Sequence, residues 1–296
     1  MIDLIPPDLR AALPDLRLAP RRPAVAGGIG QHHSRSRGEG LEFSQYRAYE
    51  PGDELRRIDW KLYARSDRYF VREAERDSPL TLWLLVDASA SMGQADAARP
   101  DRSRLDAARA LAAACIAVAL RQGDRFGLAI AGDGRLDLVP AADGPRQRDR
   151  CHLALHALHA RGGWPEDAAL RPLWERVAAG DLLLLLGDHF DEAGVAVAER
   201  LAAARREVSS IQILTGEERD FPFRGGHRFR DVEGGAEVLT DAASARSGFL
   251  AEFAAARTAL AARLAAAGIA HATCFIDEPL DAPLRRLFGL RGRGGE

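Results

Sequence analysis

Runs of large apolar residues alternate along most of this chain with segments whose apolar positions recur every three or four residues. The clearest run is 80–86 (LTLWLLV), which reads as a strand covered on both faces. It breaks at Asp87 into Asp-Ala-Ser-Ala-Ser and then into the polar, Pro-containing stretch 94–100. A second run, 181–187, holds five leucines and ends at Asp188. Between and after these runs the pattern predicts further elements. Ser103-Arg104-Leu105-Asp106 has the spacing of a capping box, and it opens a helix to about 121 with Leu105, Ala108, Ala112, Cys115, Ile116 and Ala119 on one stripe. Gly123-Asp124 stops that helix. A strand over 126–131, a turn at Gly132-Asp133-Gly134 and a returning strand over 136–139 follow. Pro145 suits the first turn of a helix to about 160. Further helices are expected over 166–179, 192–206 and 242–267, strands over 208–214 and 269–276, and a hairpin over 225–240 with Glu233-Gly234-Gly235 at its tip. Alternating strand and helix predicts an α/β fold: a doubly wound, mostly parallel sheet.

The first 77 residues do not share this pattern. Residues 20–40 are rich in Gly, Arg, Ser and His, the composition of a basic loop, with contact to a phosphate or an acidic partner as the alternative. Gly27-Gly28-x-Gly30 does not sit between a strand and a helix, so it is weak as a phosphate cradle. In 41–79, Phe43, Tyr46 and Tyr49 interleave with charges of both signs, and Pro51-Gly52-Asp53 marks a turn. Mixed charge with Ile58 and Trp60 predicts a segment that packs on the following domain through Arg–carboxylate pairs. The expected division is an N-terminal extension (1–77), one α/β domain (78–276) and a C-terminal tail (277–296).

Composition narrows the picture. With 296 residues, 47% hydrophobic and 28% charged, the chain can bury a large core. Lys+Arg 41 against Asp+Glu 43 argues against a nucleic-acid binder, which would carry a basic excess. Cys115, Cys151 and Cys274 are scattered and odd in number, which points away from a disulfide framework and toward a reducing compartment. The start of the chain lacks an apolar leader core, and the longest apolar run, 110–120, falls short of the ~20 residues a bilayer needs. A cytoplasmic protein without an integral membrane segment is expected.

The candidate chemistry lies at the two strand ends. Asp87, Ser89 and Ser91 place a carboxylate and two hydroxyls at alternate positions of one turn. Such a trio can serve turn backbone or a hard cation such as Mg²⁺, which takes oxygen ligands. If the two strands are neighbours, Asp188 joins them, and two close carboxylates repel unless a cation or proton intervenes. His189 adjoins this crevice, either facing a partner carboxylate or supporting Asp188. His152, His156 and His159 recur along one predicted helix face beside Cys151; a polar stripe is the plainer reading and a zinc site the sharper one. Catalysis is not expected. A strand-end aspartate can accept a phosphoryl group, but haloacid-dehalogenase-type enzymes carry a second Asp where Ser89 stands. Neither a Gly-x-Ser-x-Gly elbow nor a Gly-x4-Gly-Lys-Ser/Thr loop is present.

Asp87-x-Ser89-x-Ser91 followed by Asp188 resembles the metal-ion-dependent adhesion site of the von Willebrand factor A fold. Upstream, Arg47-x-Tyr49-x-Pro51-Gly52-Asp53-x-x-Arg56-x-Ile58-Asp59-Trp60-x-x-x-Ala64-Arg65 resembles the signature of domain of unknown function 58. That bacterial family is von Willebrand A-like and often associated with MoxR-type AAA+ ATPases. Gly123-Asp124-Arg125-x-Gly127-Leu128 and Glu217 to Pro222 extend the likeness, which covers roughly 35–240. The resemblance implies a von Willebrand A-like domain with Mg²⁺ held by Asp87, Ser89, Ser91 and Asp188. It implies a non-catalytic, metal-assisted adaptor for a MoxR-type AAA+ ATPase or a client protein. The alternatives are a metal-dependent hydrolase using the Asp87/Asp188 crevice and a metal-free scaffold. One residue departs from the pattern: Trp164 stands where such sites take a threonine, and it offers no oxygen. Glu166 or Asp167 is the expected substitute.

Overall fold

The two leucine-rich runs become neighbouring parallel strands, and the fold is laid out on either side of them. The computed structural model describes residues 3–19, 43–49, 58–74, 80–97, 99–230 and 237–289. Its elements, in chain order, are α1 (Pro7–Ala12), β1 (Phe43–Ala48), α2 (Trp60–Ser66), β2 (Phe70–Ala74), β3 (Thr81–Asp87), β4 (Ala95–Asp96), β5 (Arg99–Ser103), α3 (Arg104–Gln122), β6 (Arg125–Gly132), β7 (Arg135–Ala142), α4 (Gly144–His156), α5 (Arg171–Arg176), β8 (Leu182–Gly187), α6 (Glu192–Ala203), β9 (Glu207–Leu214), α7 (Gly216–Asp220), β10 (Gly226–Arg230), β11 (Glu237–Asp241), α8 (Ala242–Ala266), β12 (Ala270–Phe275) and α9 (Asp281–Phe288). The chain forms two compact units, Met1–Val25 with Leu80–Glu296, and Ala26–Pro79.

In the larger unit six described strands form one sheet in the order β12-β9-β8-β3-β6-β7. All pair in parallel except β7, which returns from β6 through Asp133-Gly134, both at positive φ as a tight hairpin turn requires. The expected doubly wound, mostly parallel sheet is therefore the sheet found. Strand order reverses between β3 and β8, and in open α/β sheets ligands bind at that switch point, beyond the carboxyl ends. Both strands alternate cleanly. Leu82, Leu84 and Val86 with Leu184 and Leu186 join one apolar layer against α3, and Trp83 and Leu85 with Leu183 and Leu185 join the other against α5 and α6.

Segments near both termini pack into the larger unit. Leu9, Leu16 and Leu18 near the start, and Leu280, Leu284 and Phe288 near the end, lie in the same layer as α3. The Gln122 side-chain amide exchanges two hydrogen bonds with the Leu18 backbone, both 2.8 Å, and the Arg17 N–H donates to the Phe288 carbonyl at 3.0 Å. A sparse apolar pattern hid these segments because each buries only a few side chains. The helix expected over 166–179 shrinks to α5, because Pro172 lacks an N–H and fits only a helix start. The helix expected to 160 ends at His156, and the stretch after Gly93 is not all loop, since β4 pairs with β5.

In the smaller unit β1 pairs antiparallel with β2. The Asp59 carboxylate caps α2, accepting the N–H groups of Lys61 and Leu62 at 2.9 and 3.0 Å, which gives part of the upstream signature a plain local role. Tyr63 stacks on Tyr69, and Trp60 meets both edge-on. The Gly27-Gly28-x-Gly30 cluster, the Pro51-Gly52-Asp53 turn, Arg56 and Arg57, and the hairpin tip at Glu233-Gly234-Gly235 lie outside the described residues.

Candidate functional site

Asp87 ends β3 and is almost wholly buried. Its Oδ1 accepts the Ser89 N–H at 2.8 Å, so the carboxylate braces its own turn. Gly187 of β8 lies beside it: a Cβ there would stand 2.8 Å from the Asp87 Cβ and 3.0 Å from its Oδ2. The chain then makes a 3-10 turn, Ala90–Gly93, in which the Ser89 and Ser91 hydroxyl oxygens stand 3.1 Å apart. The loop holding Gly162 and Trp164 is tied to this turn. The Ala90 N–H donates to the Gly162 carbonyl at 2.8 Å, and the Arg161 N–H to the Ala88 carbonyl at 3.0 Å. Trp164, Asp87, His189 and Asp191 line a small recess there.

Asp188 follows β8 and is 1% exposed. It meets a residue that sequence reasoning passed over. Arg104, the first residue of α3, is also 1% exposed, and its guanidinium reaches across the carboxyl edge. Nη1 donates to Asp188 Oδ2 at 2.9 Å and to the Ser91 carbonyl at 3.2 Å. Nη2 donates to a Glu218 carboxylate oxygen and, at 3.4 Å, to the Gln94 side chain. The other Asp188 oxygen accepts the Phe190 N–H at 3.1 Å, and the Asp188 carbonyl accepts the Gln212 amide at 3.0 Å. Glu218 is held as well, its Oε2 accepting the Thr215 N–H at 2.9 Å in the capping box of α7. A cation in the first turn of a helix opposes the helix dipole. Arg104 is stable there because two carboxylates converge on it. That misplaced charge is the signal by which sequence alone could have found it.

The next residues carry an unusual backbone and exposure. His189 adopts φ +61°, a left-handed conformation uncommon outside glycine though less so for histidine. Its Nε2 hydrogen-bonds the Ser210 hydroxyl, and the Ser210 oxygen lies 3.3 Å from the His271 Nδ1. Burial, with His271 nearby, pushes the His189 pKa down to about 3. Burial, then Arg286 and Arg257, lower His271 to about 4. Both imidazoles are therefore neutral near pH 7. Ser210 is fully buried, so this Ser–His contact faces no substrate. Phe190 points outward, 54% exposed, with the Arg104 guanidinium 5.1 Å from its ring centroid.

The four residues expected to hold Mg²⁺ follow neighbouring strands at one edge, and Arg104 bonds two of them, at the Asp188 carboxylate and the Ser91 carbonyl. The donor set as placed does not fit the ion. Both Asp188 oxygens are engaged, one of them by a guanidinium whose positive charge would repel a dication beside it. Trp164 occupies the threonine's loop. Asp167 is bound to Arg200 at 2.9 and 3.0 Å, and Glu166 is exposed, so neither completes a set. Among the described residues no three of His, Cys, Asp or Glu stand close enough to share a metal. The histidine stripe yields no zinc site on the same ground: α4 ends at His156, leaving His159 beyond it, and the Cys151 thiol is pushed up to about 12 by burial.

Several known proteins resemble this chain. The profile of a family described as "Protein of unknown function DUF58" matches residues 45–259. An uncharacterized protein of Mycobacterium tuberculosis is 31% identical over 243 residues, which is 79% of this chain and 74% of the relative, and one of Mycobacterium bovis matches equally. Among solved structures, the conserved hypothetical protein BatB of Bacteroides thetaiotaomicron is similar at 15% identity and a TM-score of 0.44, over 70% of this chain and 97% of that one. The SpRpn10 VWA domain is similar at 13% identity and a TM-score of 0.41, over 71% and 95%. No described helix is long and apolar enough to cross a membrane.

Proposed function

We propose, for a chain that belongs to the DUF58 family of proteins of unknown function, a non-catalytic role: it binds another protein through the carboxyl end of its sheet. The observation that carries this reading is Phe190, a large aromatic side chain 54% exposed at the switch point and braced from beneath by Arg104. Aromatic residues on rigid supports are the usual anchors of protein interfaces. The loop that presents Phe190 is fixed by the Asp188 contacts to Arg104 and the Phe190 N–H, and by the bond from His189 to Ser210. A loop fixed beforehand loses little conformational entropy on binding.

The partner class we infer is a MoxR-type AAA+ ATPase, or a client passed to one, with this chain as adaptor. That inference rests on the family resemblance. Phe190 fills an apolar pocket of the partner, and no step needs a metal ion. The test is capture of a MoxR-type ATPase by the full chain and by Phe190→Ala, quantified by titration. Phe190→Ala should melt within about 0.5 kcal/mol of wild type, as an exposed truncation does, yet bind at least about tenfold more weakly. Equal affinity would remove Phe190 and its edge from the interface.

A further inference from the structure

The Arg104 guanidinium stands among the oxygens that a divalent ion would gather. One nitrogen bridges the turn of Ser89 and Ser91 to the strand-end Asp188, and the other brings in Glu218 from α7. We propose that Arg104 is the resident cation of this edge: a covalently attached, permanently charged replacement for the divalent ion, which closes the site to Mg²⁺. The planar fork suits this work, because guanidinium nitrogens meet carboxylates side by side and the group keeps its proton at every accessible pH. Arg104 already sets one positive charge against these carboxylates, and it repels a dication placed beside Asp188.

The consequence is functional. The edge is set in one arrangement without a metal, and it offers no incompletely coordinated ion to a partner's acidic side chain. Recognition at this edge is therefore indifferent to divalent ions. This assignment stands apart from the partner proposal, since it holds whether or not Phe190 meets another protein.

The test compares melting of the full chain in EDTA and in excess MgCl₂ at matched ionic strength. A ligand that binds only the folded state must raise the melting temperature. Wild type and Asp188→Asn should respond to Mg²⁺ alike. Arg104→Met, which leaves Asp188 and Glu218 without a counter-charge, should gain a Mg²⁺-dependent rise of about 2–4 °C or more over wild type. A rise in wild type that Asp188→Asn removes would overturn the assignment, and that comparison needs no folded Arg104 variant. A folded Arg104→Met that responds no more than wild type would overturn it as well.

Discussion

Asp87 and Asp188 end neighbouring strands, and both are nearly inaccessible to water, yet they are stabilised by different means. Asp87 braces its own turn, accepting an N–H two residues along the chain. Asp188 is satisfied at long range, by a guanidinium 84 residues away in sequence and by the loop that follows it. A local partner comes with the turn and survives rearrangement elsewhere. A long-range partner exists only once α3, β8 and α7 have docked, so the Asp188 contact reports the assembled edge, and the Asp87 contact reports one loop.

Removing the charge behind each aspartate sharpens the contrast. Arg104→Ala leaves Asp188 and Glu218 facing each other with no counter-ion and should destabilise the chain by about 3–5 kcal/mol, as breaking buried ion pairs does. Asp87→Ala deletes the charge-assisted hydrogen bond from the Ser89 N–H and should lose about 1.5–3 kcal/mol. Urea unfolding of both variants checks the order, and equal losses would erase the distinction. Gly187→Ala presses on Asp87 alone, since the new Cβ falls within 3.0 Å of its side chain. About 1–3 kcal/mol should be lost by overpacking, with the Mg²⁺ response of the edge unchanged.

A further effect concerns pH. His189 and His271 are lowered to about 3 and about 4, against an ordinary 6.5 in the unfolded chain. Between these values the unfolded state binds more protons than the folded one. Stability from the neutral imidazoles is thus complete above pH 6.5 and declines as pH falls toward 4. Melting across that window should show the decline, and His271→Asn should flatten it. A slope unchanged in that variant would assign the acid sensitivity to other groups.

Much of this was legible in the chain. Period-two and period-three-to-four patterns gave the alternating elements, because a strand covered on both faces needs an unbroken apolar run and a one-sided helix needs a stripe. The capping box at Ser103 and Asp106 and the Asp133-Gly134 turn are local chemistry, readable from a few adjacent residues. The same holds for Asp87, Ser89, Ser91 and Asp188 as residues of one edge, since two strand ends on one sheet are a topological consequence. The short segments at both ends were not legible, because Leu9, Leu16, Leu284 and Phe288 are too sparse to mark a period. Nor was the cation. An arginine at the start of a helix is a charge out of place, but nothing local names its partners until α7 carries Glu218 to it and β8 carries Asp188 to it. Sequence alone determined that Asp87 and Asp188 each close a strand. Tertiary structure alone decided what neutralises them, because a buried charge is balanced by whatever the fold brings within a few ångströms, and that proximity is written in no local pattern.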